Sequence, residues 1–372
     1  MTINPRFPAA LAACSVALFL PRADGANIAF GSASVTFQQG PPFQIPQSID
    51  TLTTGPGWAV DGGQHSPQTA VFTTTAPASG SEWAFTLHHN PGFGDHHTQE
   101  FRLAYTTDGT PSLGGTWSSI SPTSFKSTNG VTLANVGADT LRATGAAGWT
   151  SYQVRSTAPL NNVTGFRLEL FPFDYNPADG LPASLGRAPN GNFVVSEFTA
   201  DTSDTINRAF AGSATGSSGT WPGFPPSNLT DGNNDSLTHP DSPQNPGAYN
   251  FTIDLGEHFN LTAVDLRNRT DGCCPERLSN YRVEILDPAQ SPVWSGDIRT
   301  DGSNSGVNGL DVITAGMGTG TFSGQFVRIT NLGGGNYSPQ IGEVRAFGMP
   351  VPEPSILLFT AASALAFLRR RR

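Results

Sequence analysis

Residues 267–286 read RNRTDGCCPERLSNYRVEIL, and this stretch contains the two features on which the fold assignment depends. Its last six residues, YRVEIL, alternate apolar and polar side chains, which is typical of a β-strand with one buried face. Cys273 and Cys274 are adjacent and follow a glycine just before that strand. The stretch therefore predicts β-structure in which a short, chemically unusual loop leads into a strand.

The same alternation recurs along the chain, at residues 83–87, 101–105 and 251–255, and Gly, Pro, Asn or Asp bounds each run. The composition agrees, because 42 Gly, 30 Pro and only 13% charged residues favour short strands and turns over helices. Apart from the two ends, the sequence has no amphipathic stretch of helical length. It therefore predicts an all-β fold.

The chain of 372 residues is long enough for two domains. A weak internal repeat supports this count, because NIAFG at 27–31 is echoed by NRAFA at 207–211 and an Asp-Gly turn follows each copy. Residues 199–205 are mostly polar and have no apolar pattern, so they mark the natural boundary. We expect two related β-sandwiches in tandem, over residues 27–203 and 204–348.

Residues 1–26 have the order of a secretory signal peptide, with a positive charge at Arg6, an apolar core at 7–20 and small residues at 23–26. Residues 11–14 also fit a lipoprotein cleavage box, although the apolar core continues beyond that box. Both interpretations predict an exported protein, and the plain leader is favoured.

Residues 349–372 contain Pro352-Glu353-Pro354, an apolar segment at 356–368 and four terminal arginines. This order closely resembles the PEP-CTERM sorting signal of Gram-negative bacteria, which implies removal of the tail by an exosortase-type protease and release or attachment at the cell surface. The thirteen apolar-segment residues would span only about 20 Å as a helix, against a hydrocarbon core of roughly 30 Å. We therefore expect transient membrane insertion, the alternative being an ordinary C-terminal helix.

Two functional classes are disfavoured. The formal net charge is −9 and the ends carry much of the positive charge, so the exported part should repel nucleic acid. The sequence has no nucleophile elbow and no HExxH helix, and Asp61, Glu82, Asp95 and Glu100 are scattered over predicted turns and strands. Paired acids can be remote in sequence, so hydrolysis by the first domain is an alternative to the prediction that the protein is not an enzyme.

His88, His89, His96 and His97 form a histidine-rich group that invites a metal interpretation. Adjacent residues on a strand point to opposite faces, so no more than half of these imidazoles could converge. We expect a hairpin with solvated histidines.

The second half contains an oxygen-rich turn at residues 228–239, with Gly232 at its bend. Several converging carboxylate and carbonyl oxygens are what Ca²⁺ requires, although the spacing is not that of an EF-hand. A plain Asx turn without a metal is common wherever Asn and Asp precede Gly. On the residues alone the Asx turn is therefore favoured over calcium.

Cys273 and Cys274 could close a vicinal disulfide in an exported chain. Their Cα atoms would be about 3.8 Å apart, which is below the usual disulfide range and makes such a ring strained. Two free thiols that pack side by side are the alternative.

Four separated segments together resemble the fucolectin, tachylectin and pentraxin-like lectins, whose fold is a galactose-binding-like, discoidin-type jelly roll. The segments are 207–218, 228–239, 267–278 and 341–344, and the resemblance covers about residues 205–348. The first half also resembles galactose-binding-like modules, but the motifs that carry this resemblance are less specific. The resemblance thus implies two tandem jelly-roll sandwiches.

In that family the turn binds calcium together with a glutamate near the C-terminus, while a vicinal disulfide, a histidine and two arginines hold the sugar. Arginine suits this role because its rigid fork of donors can satisfy two neighbouring hydroxyl oxygens. The calcium ligands carried over by position are Asn228, Asp231, Asn233, Ser236, Gly342 through its carbonyl, and Glu343. The sugar-binding residues carried over are His239, Arg269, Arg277 and the disulfide-bonded pair Cys273 and Cys274.

One departure concerns the loop before the cysteines. The family places an Asp directly before the Cys pair and an Arg three residues before it, whereas here Gly272 intervenes and Arg269 lies four before. The extra residue could be absorbed as a bulge or could move Arg269 out of the pocket, with Arg267 as a substitute. Arginines that pair with nearby acids and only solvate a loop are the simpler alternative.

We therefore expect an exported, cell-surface or extracellular protein that binds glycans, fucosylated ones among them, through a calcium-stabilised lectin domain. The alternative is a structural or adhesive surface-matrix protein that keeps the fold without binding sugar.

Overall fold

The structure is a computed structural model that describes residues 28–352, apart from 147, 179, 242–246, 248 and 334–338. The predicted signal peptide and the apolar sorting segment both lie outside the described residues. Within the described part of the chain, no helix has the length and apolar character needed to cross a membrane.

The described chain is all-β, as predicted, with short 3-10 helices between its strands. The first twelve strands are β1 (Phe30–Val35), β2 (Trp58–Ala59), β3 (Gln68–Gly80), β4 (Trp83–His89), β5 (Glu100–Thr106), β6 (Ser118–Ser119), β7 (Ser124–Ser127), β8 (Val131–Gly137), β9 (Thr140–Gly145), β10 (Ser151–Ser156), β11 (Leu160–Phe171) and β12 (Val194–Thr202). The remaining strands are β13 (Ser213–Gly216), β14 (Asn250–Asn268), β15 (Tyr281–Leu286), β16 (Pro292–Ile298), β17 (Leu310–Ile313), β18 (Thr319–Gly320), β19 (Ser323–Asn331) and β20 (Ile341–Pro350). The 3-10 helices are Ile45–Ile49, Pro91–Phe93, Ser203–Thr205, Pro226–Leu229, Pro275–Arg277 and Ala315–Met317.

The first unit packs one sheet of order β1-β3-β11-β5-β9-β8, with β6 on β5, against a second sheet of order β2-β12-β4-β10-β7. Aromatic side chains join the two sheets: the rings of Phe72 on β3 and Phe198 on β12 stack with centroids 4.2 Å apart. Trp83 on β4 meets Phe166 on β11 edge to face at 5.5 Å. Alternate residues of each strand thus fill one core between two layers.

The second unit is organised around β14, which is 19 residues long. The first part of β14, residues 250–254, pairs with β13 and β19, whereas residues 264–268 pair with β17 and β20. Phe251 and Val264, from the two parts, belong to the same buried core. Among the described residues, this core shares no member with that of the first unit.

The histidine-rich segment differs from the prediction. Its flanking strands, β4 and β5, belong to different sheets, so the segment crosses between layers and is not a hairpin. His89 and His97 are also buried, at 1% and 0% exposure, and not solvated. His97 Nδ1 lies 2.5 Å from the hydroxyl of Tyr152, and burial lowers the pKa of His97 to about 4, which keeps it neutral at pH 7. Within the described chain, no three His, Cys, Asp or Glu side chains are placed to hold a metal ion.

A buried ion pair joins the two units. Nη1 and Nη2 of Arg208, in the second unit, donate to the two carboxylate oxygens of Glu82 at 2.6 and 2.7 Å. Glu82 belongs to the first unit and lies in the turn between β3 and β4. Arg208 also donates to the carbonyls of Ser203 and Gly348. Its side chain is 0% exposed, and that of Glu82 is 12% exposed.

Replacing Glu82 with alanine should lower the free energy of unfolding by about 3–5 kcal/mol, because the Arg208 charge would be buried without its partner. Urea denaturation of the protein measures the change. Asp297→Ala is the matched control, since the Asp297–Arg282 pair has side chains about 40% exposed and should contribute less than about 1 kcal/mol. Equal effects of the two substitutions would contradict this assignment.

Candidate functional site

The loop between β14 and β15 contains a disulfide between Cys273 and Cys274, whose Cα atoms are 3.8 Å apart. Cys273 is exposed, and Cys274 adopts a left-handed backbone with φ of 52°. The 3-10 helix Pro275–Arg277 begins directly after this residue, and the amide of Arg277 donates to the carbonyl of Cys274 at 3.1 Å. The cysteine pair and the Arg277 side chain therefore form one compact unit.

The structure brings His239 and Arg277 together. Nη1 of Arg277 lies 3.4 Å from Nε2 of His239, and Nδ1 of His239 lies 2.6 Å from the carbonyl of Pro240. Because a carbonyl accepts and a guanidinium donates, Nδ1 carries the ring proton and Nε2 accepts. A histidine acceptor and an arginine fork thus lie beside the exposed disulfide.

Arg269 is held differently. Its Nε donates to Oδ1 of Asp271 at 2.7 Å and its Nη2 to the other carboxylate oxygen, and its side chain is only 7% exposed. The hydrogen bonds from Arg269 hold the pKa of Asp271 below its usual range, so Asp271 stays ionised. Nη1 of Arg269 is buried and has no hydrogen-bond partner among the described residues. Arg267 donates to the side chain of Asn308 at 2.6 Å.

Two aromatic residues beside His239 were not identified from the sequence. Trp221-Pro222-Gly223-Phe224 is a turn with Gly223 at φ of 86°, closed by the amide of Phe224 donating to the carbonyl of Trp221. Backbone hydrogen bonds to both sides of His239 fix this turn, and the rings of Trp221 and Phe224 lie 6.2 and 6.1 Å from the imidazole. Trp221 is 53% exposed and Phe224 is 37% exposed. The Pro-Gly pair was the signal available in the sequence.

The oxygen-rich turn brings two buried carboxyl groups close to each other. Asp231 is 3% exposed and Glu343, at the start of β20, is 2% exposed. Both oxygens of Glu343 and Oδ2 of Asp231 are buried without a hydrogen-bond partner among the described residues. Burial raises the pKa of Asp231 to about 7, and burial together with the charge of Asp231 raises that of Glu343.

The remaining predicted ligands surround this pair with neutral oxygens. Oδ1 of Asp231 accepts from the amide of Asn233 at 2.8 Å and from the hydroxyl of Ser236 at 3.1 Å, which is an Asx turn. Oδ1 of Asn233 accepts from the amide of Asp235, and the amide group of Asn228 donates to the carbonyl of Leu237. The carbonyl of Ile341, next to Gly342, accepts from the amide of Thr238, so the turn and β20 are hydrogen-bonded together.

These residues fit a hard cation. Buried carboxylate oxygens normally have partners, and a cation with oxygen ligands would satisfy the three that lack one here. In the described chain, no third acidic, histidine or cysteine side chain joins Asp231 and Glu343, so amide, hydroxyl and carbonyl oxygens would complete the shell. Such a mixed set of oxygen donors suits Ca²⁺.

Residues 211–344 match the F5/8 type C domain family. This match confirms the discoidin-type domain predicted for the second half, and the all-β architecture is consistent with a galactose-binding-like jelly roll. No curated protein matches the chain.

Several solved structures are similar to parts of this chain. The lectin domain of lectinolysin, complexed with Lewis B antigen, is 26% identical, with 39% of this chain and 98% of that chain covered and a TM-score of 0.33. A fucose-binding module of Streptococcus pneumoniae is 20% identical over 38% of this chain and 95% of that one, with a TM-score of 0.31. A fucolectin from striped bass (Morone saxatilis) serum is 14% identical over 86% and 97%, with a TM-score of 0.32.

With chelator present, the ionisation of Asp231 should remove stability from the folded state as the pH rises from about 4 to about 7. Asp231 in the unfolded chain loses its proton near pH 4, whereas in the folded chain it keeps the proton up to about pH 7, so the folded state binds more protons between these values. Thermal unfolding in EDTA across this range measures the trend. Asp231→Asn should shift the slope of stability against pH upward relative to the parent, while Asp235→Asn, at an exposed position in the same turn, should leave the slope unchanged; an identical slope in all three proteins would contradict the assignment.

Proposed function

We propose that the second unit is a carbohydrate-binding domain of the fucose-binding lectin type. The observation that carries the proposal is the juxtaposition of His239 and Arg277 with an exposed disulfide and two exposed aromatic rings. Hydrogen-bonding groups and apolar surface thus lie side by side, as a neutral sugar requires. The fold match supports the domain class and is silent on the ligand.

The chemistry divides between the two kinds of surface. A guanidinium that donates to sugar hydroxyls makes charge-assisted hydrogen bonds, each contributing about 1.5–3 kcal/mol. His239 accepts from Arg277 through Nε2 and so orients the guanidinium that would donate to the sugar hydroxyls. The disulfide and Trp221 offer apolar faces to the C–H side of a sugar ring. Arg269 lies next to the same loop, where Asp271 accepts from its Nε and Nη2, and its Nη1 has no hydrogen-bond partner among the described residues.

We propose that Asn228, Asp231, Asn233, Ser236, Gly342 and Glu343 hold a calcium ion whose charge satisfies the buried carboxylates. The chain runs from this turn directly into His239, and Thr238 pairs with Ile341 across the turn. A cation there would therefore fix the segment that presents the imidazole, without touching the sugar itself.

We further propose that the protein is exported and acts outside the cell, on the strength of the two terminal signals in the sequence. Removal of the sorting tail by an exosortase-type protease, after transient membrane insertion, would leave the described units released or attached at the cell surface. Glycans, fucosylated ones among them, are the proposed partners.

Calorimetric titration of the exported chain with L-fucose and with galactose, in the presence of calcium, should show binding that His239→Ala and Arg277→Ala weaken about 10- to 100-fold. Each variant loses a hydrogen bond to a charged or polar group of the site. Arg282→Ala is the control, because Arg282 pairs with Asp297 and both side chains are about 40% exposed. If Arg282→Ala weakened sugar binding as much as His239→Ala or Arg277→Ala does, the assignment of these two residues to the sugar site would be wrong.

A structural or adhesive role is the second candidate, and the pairing of Arg269 with Asp271 favours it because a family donor is then occupied. Stabilisation by calcium with no binding to any sugar would establish that role in place of the lectin function.

Calcium at about 100 times its dissociation constant should stabilise the folded chain by about 2.7 kcal/mol. Glu343→Gln should remove most of that stabilisation, since the charge facing the cation is lost. Thermal unfolding with calcium and with EDTA measures the difference, and Glu284→Gln, whose carboxylate pairs with Arg328 on the sheet surface, is the matched control. An undiminished calcium response in Glu343→Gln would place the ion elsewhere.

A further inference from the structure

The first unit has a cleft of about 280 Å³ that the proposed lectin site does not explain. It lies on the long connection between β11 and β12, where it is lined by residues 173–176, 181, 182, 184 and 186–191, together with His65 and Gln99. The connection is ordered by backbone pairing, since Phe173 and Ser184 exchange hydrogen bonds of 2.9 and 3.1 Å. The cleft is therefore built into the fold.

A polar side chain on the cleft lining is incompletely satisfied. Gln99 is 2% exposed, and its Nε2 donates to the carbonyl of Gly186 at 2.6 Å and to the hydroxyl of Ser184 at 3.1 Å. These two acceptors fix the orientation of the amide, which leaves Oε1 as a buried acceptor without a partner among the described residues. An orphaned acceptor lining a cleft calls for a donor from a bound molecule or an ordered water.

One wall of the cleft is an aromatic ring held in place without burial. Tyr175 is 42% exposed, and the Arg187 guanidinium stacks on its ring at 3.5 Å. Arg187 is itself fixed by hydrogen bonds to the carbonyls of Gly145 and Ala146, and the Tyr175 hydroxyl donates to Gly145 as well. The ring is thus rigid and accessible, and Leu181, at 57% exposure, adds apolar surface beside it.

We propose that this cleft is a second carbohydrate-binding site, specific for neutral polysaccharide. The Arg187 charge is directed at backbone carbonyls, and Oδ1 of Asp174 accepts from the amide of Asn176 in a local turn. A strongly charged ligand would therefore find little complementary charge. Amide and hydroxyl groups beside a fixed aromatic face suit a ligand with many hydroxyls and an apolar C–H face.

A second site would change what the whole protein does. The buried Arg208–Glu82 pair joins the unit that carries this cleft to the unit that carries the proposed lectin site. Two sites on one rigid chain can bind a repeating polysaccharide at both points, which raises the overall affinity well above that of either site. They can also link two chains of the polysaccharide. This consequence rests on the proposed function, whereas the site itself does not.

Affinity electrophoresis of the exported chain through gels containing xylan, galactomannan or β-glucan tests the proposal, with alginate as the acidic comparison. Arg277→Ala, which disables the proposed lectin site, should still be retarded by at least one neutral polysaccharide and not by alginate. Adding Tyr175→Ala should weaken that retardation about tenfold, because the stacking face is lost. Adding Tyr175→Phe instead should largely preserve it, and matching thermal unfolding of all variants excludes misfolding.

Loss of all retardation in Arg277→Ala, with the parent chain still retarded, would overturn the second site and leave the lectin proposal standing. The second site would also be overturned if neutral gels retarded Arg277→Ala and the double variant Arg277→Ala/Tyr175→Ala equally. If the parent chain binds sugar in calorimetry but no gel retards it, the second site alone is overturned. If gels retard the parent chain but calorimetry shows no binding of L-fucose or galactose, only the lectin proposal is overturned.

Discussion

The buried pair of Arg208 and Glu82 is the interaction on which the arrangement of the two units depends. Burying a guanidinium is unfavourable unless each of its donors finds an acceptor, and here Nε, Nη1 and Nη2 all do, with Gly348 and Ser203 supplying carbonyls. The backbone amide of Arg208 also donates to Ala346. The bonds to Gly348 and Ala346 end on β20, the strand that begins beside the candidate cation site, so the junction and that site share one strand.

The candidate cation turn also lies against the first unit. A Cβ atom added at Gly232 would lie 2.8 Å from the ring of Phe210 and 3.4 Å from Cε1 of His88, so there is no room for a side chain. The backbone φ of Gly232 is 74°, a value that glycine adopts without strain. Glu343 lines a cavity of about 200 Å³ between the units together with Glu197, whose pKa burial raises to about 8. Residues of the first unit thus line the same cavity as Glu343, and the burial of the acidic pair is one of the observations that support the proposed cation site.

Side-chain alternation and turn residues predicted the strands because they are local signals, whereas the discoidin-type domain was implied by the resemblance of four segments to a lectin family. Sequence alone could not predict which layer each strand joins, and so the histidine-rich segment was wrongly expected to be a solvated hairpin. Trp221 was missed because only backbone pairing with His239 brings it to the site. The position of Arg269 depended on whether the inserted Gly272 would let Asp271 fold back onto it, a competition between local hydrogen bonds that residue spacing does not decide.

Both candidate ligand sites share one physical feature. The main chain of exposed Trp221 is held by hydrogen bonds to His239, and the exposed ring of Tyr175 is held by the stacked guanidinium of Arg187. Folding gains little from an exposed ring, since its apolar surface stays in water. Binding gains more, because a ring already held in position loses little conformational freedom when a ligand stacks on it. Rigid but accessible aromatic rings are therefore better explained by a ligand than by stability, and their presence in both units is the reason to regard the first unit as functional in its own right.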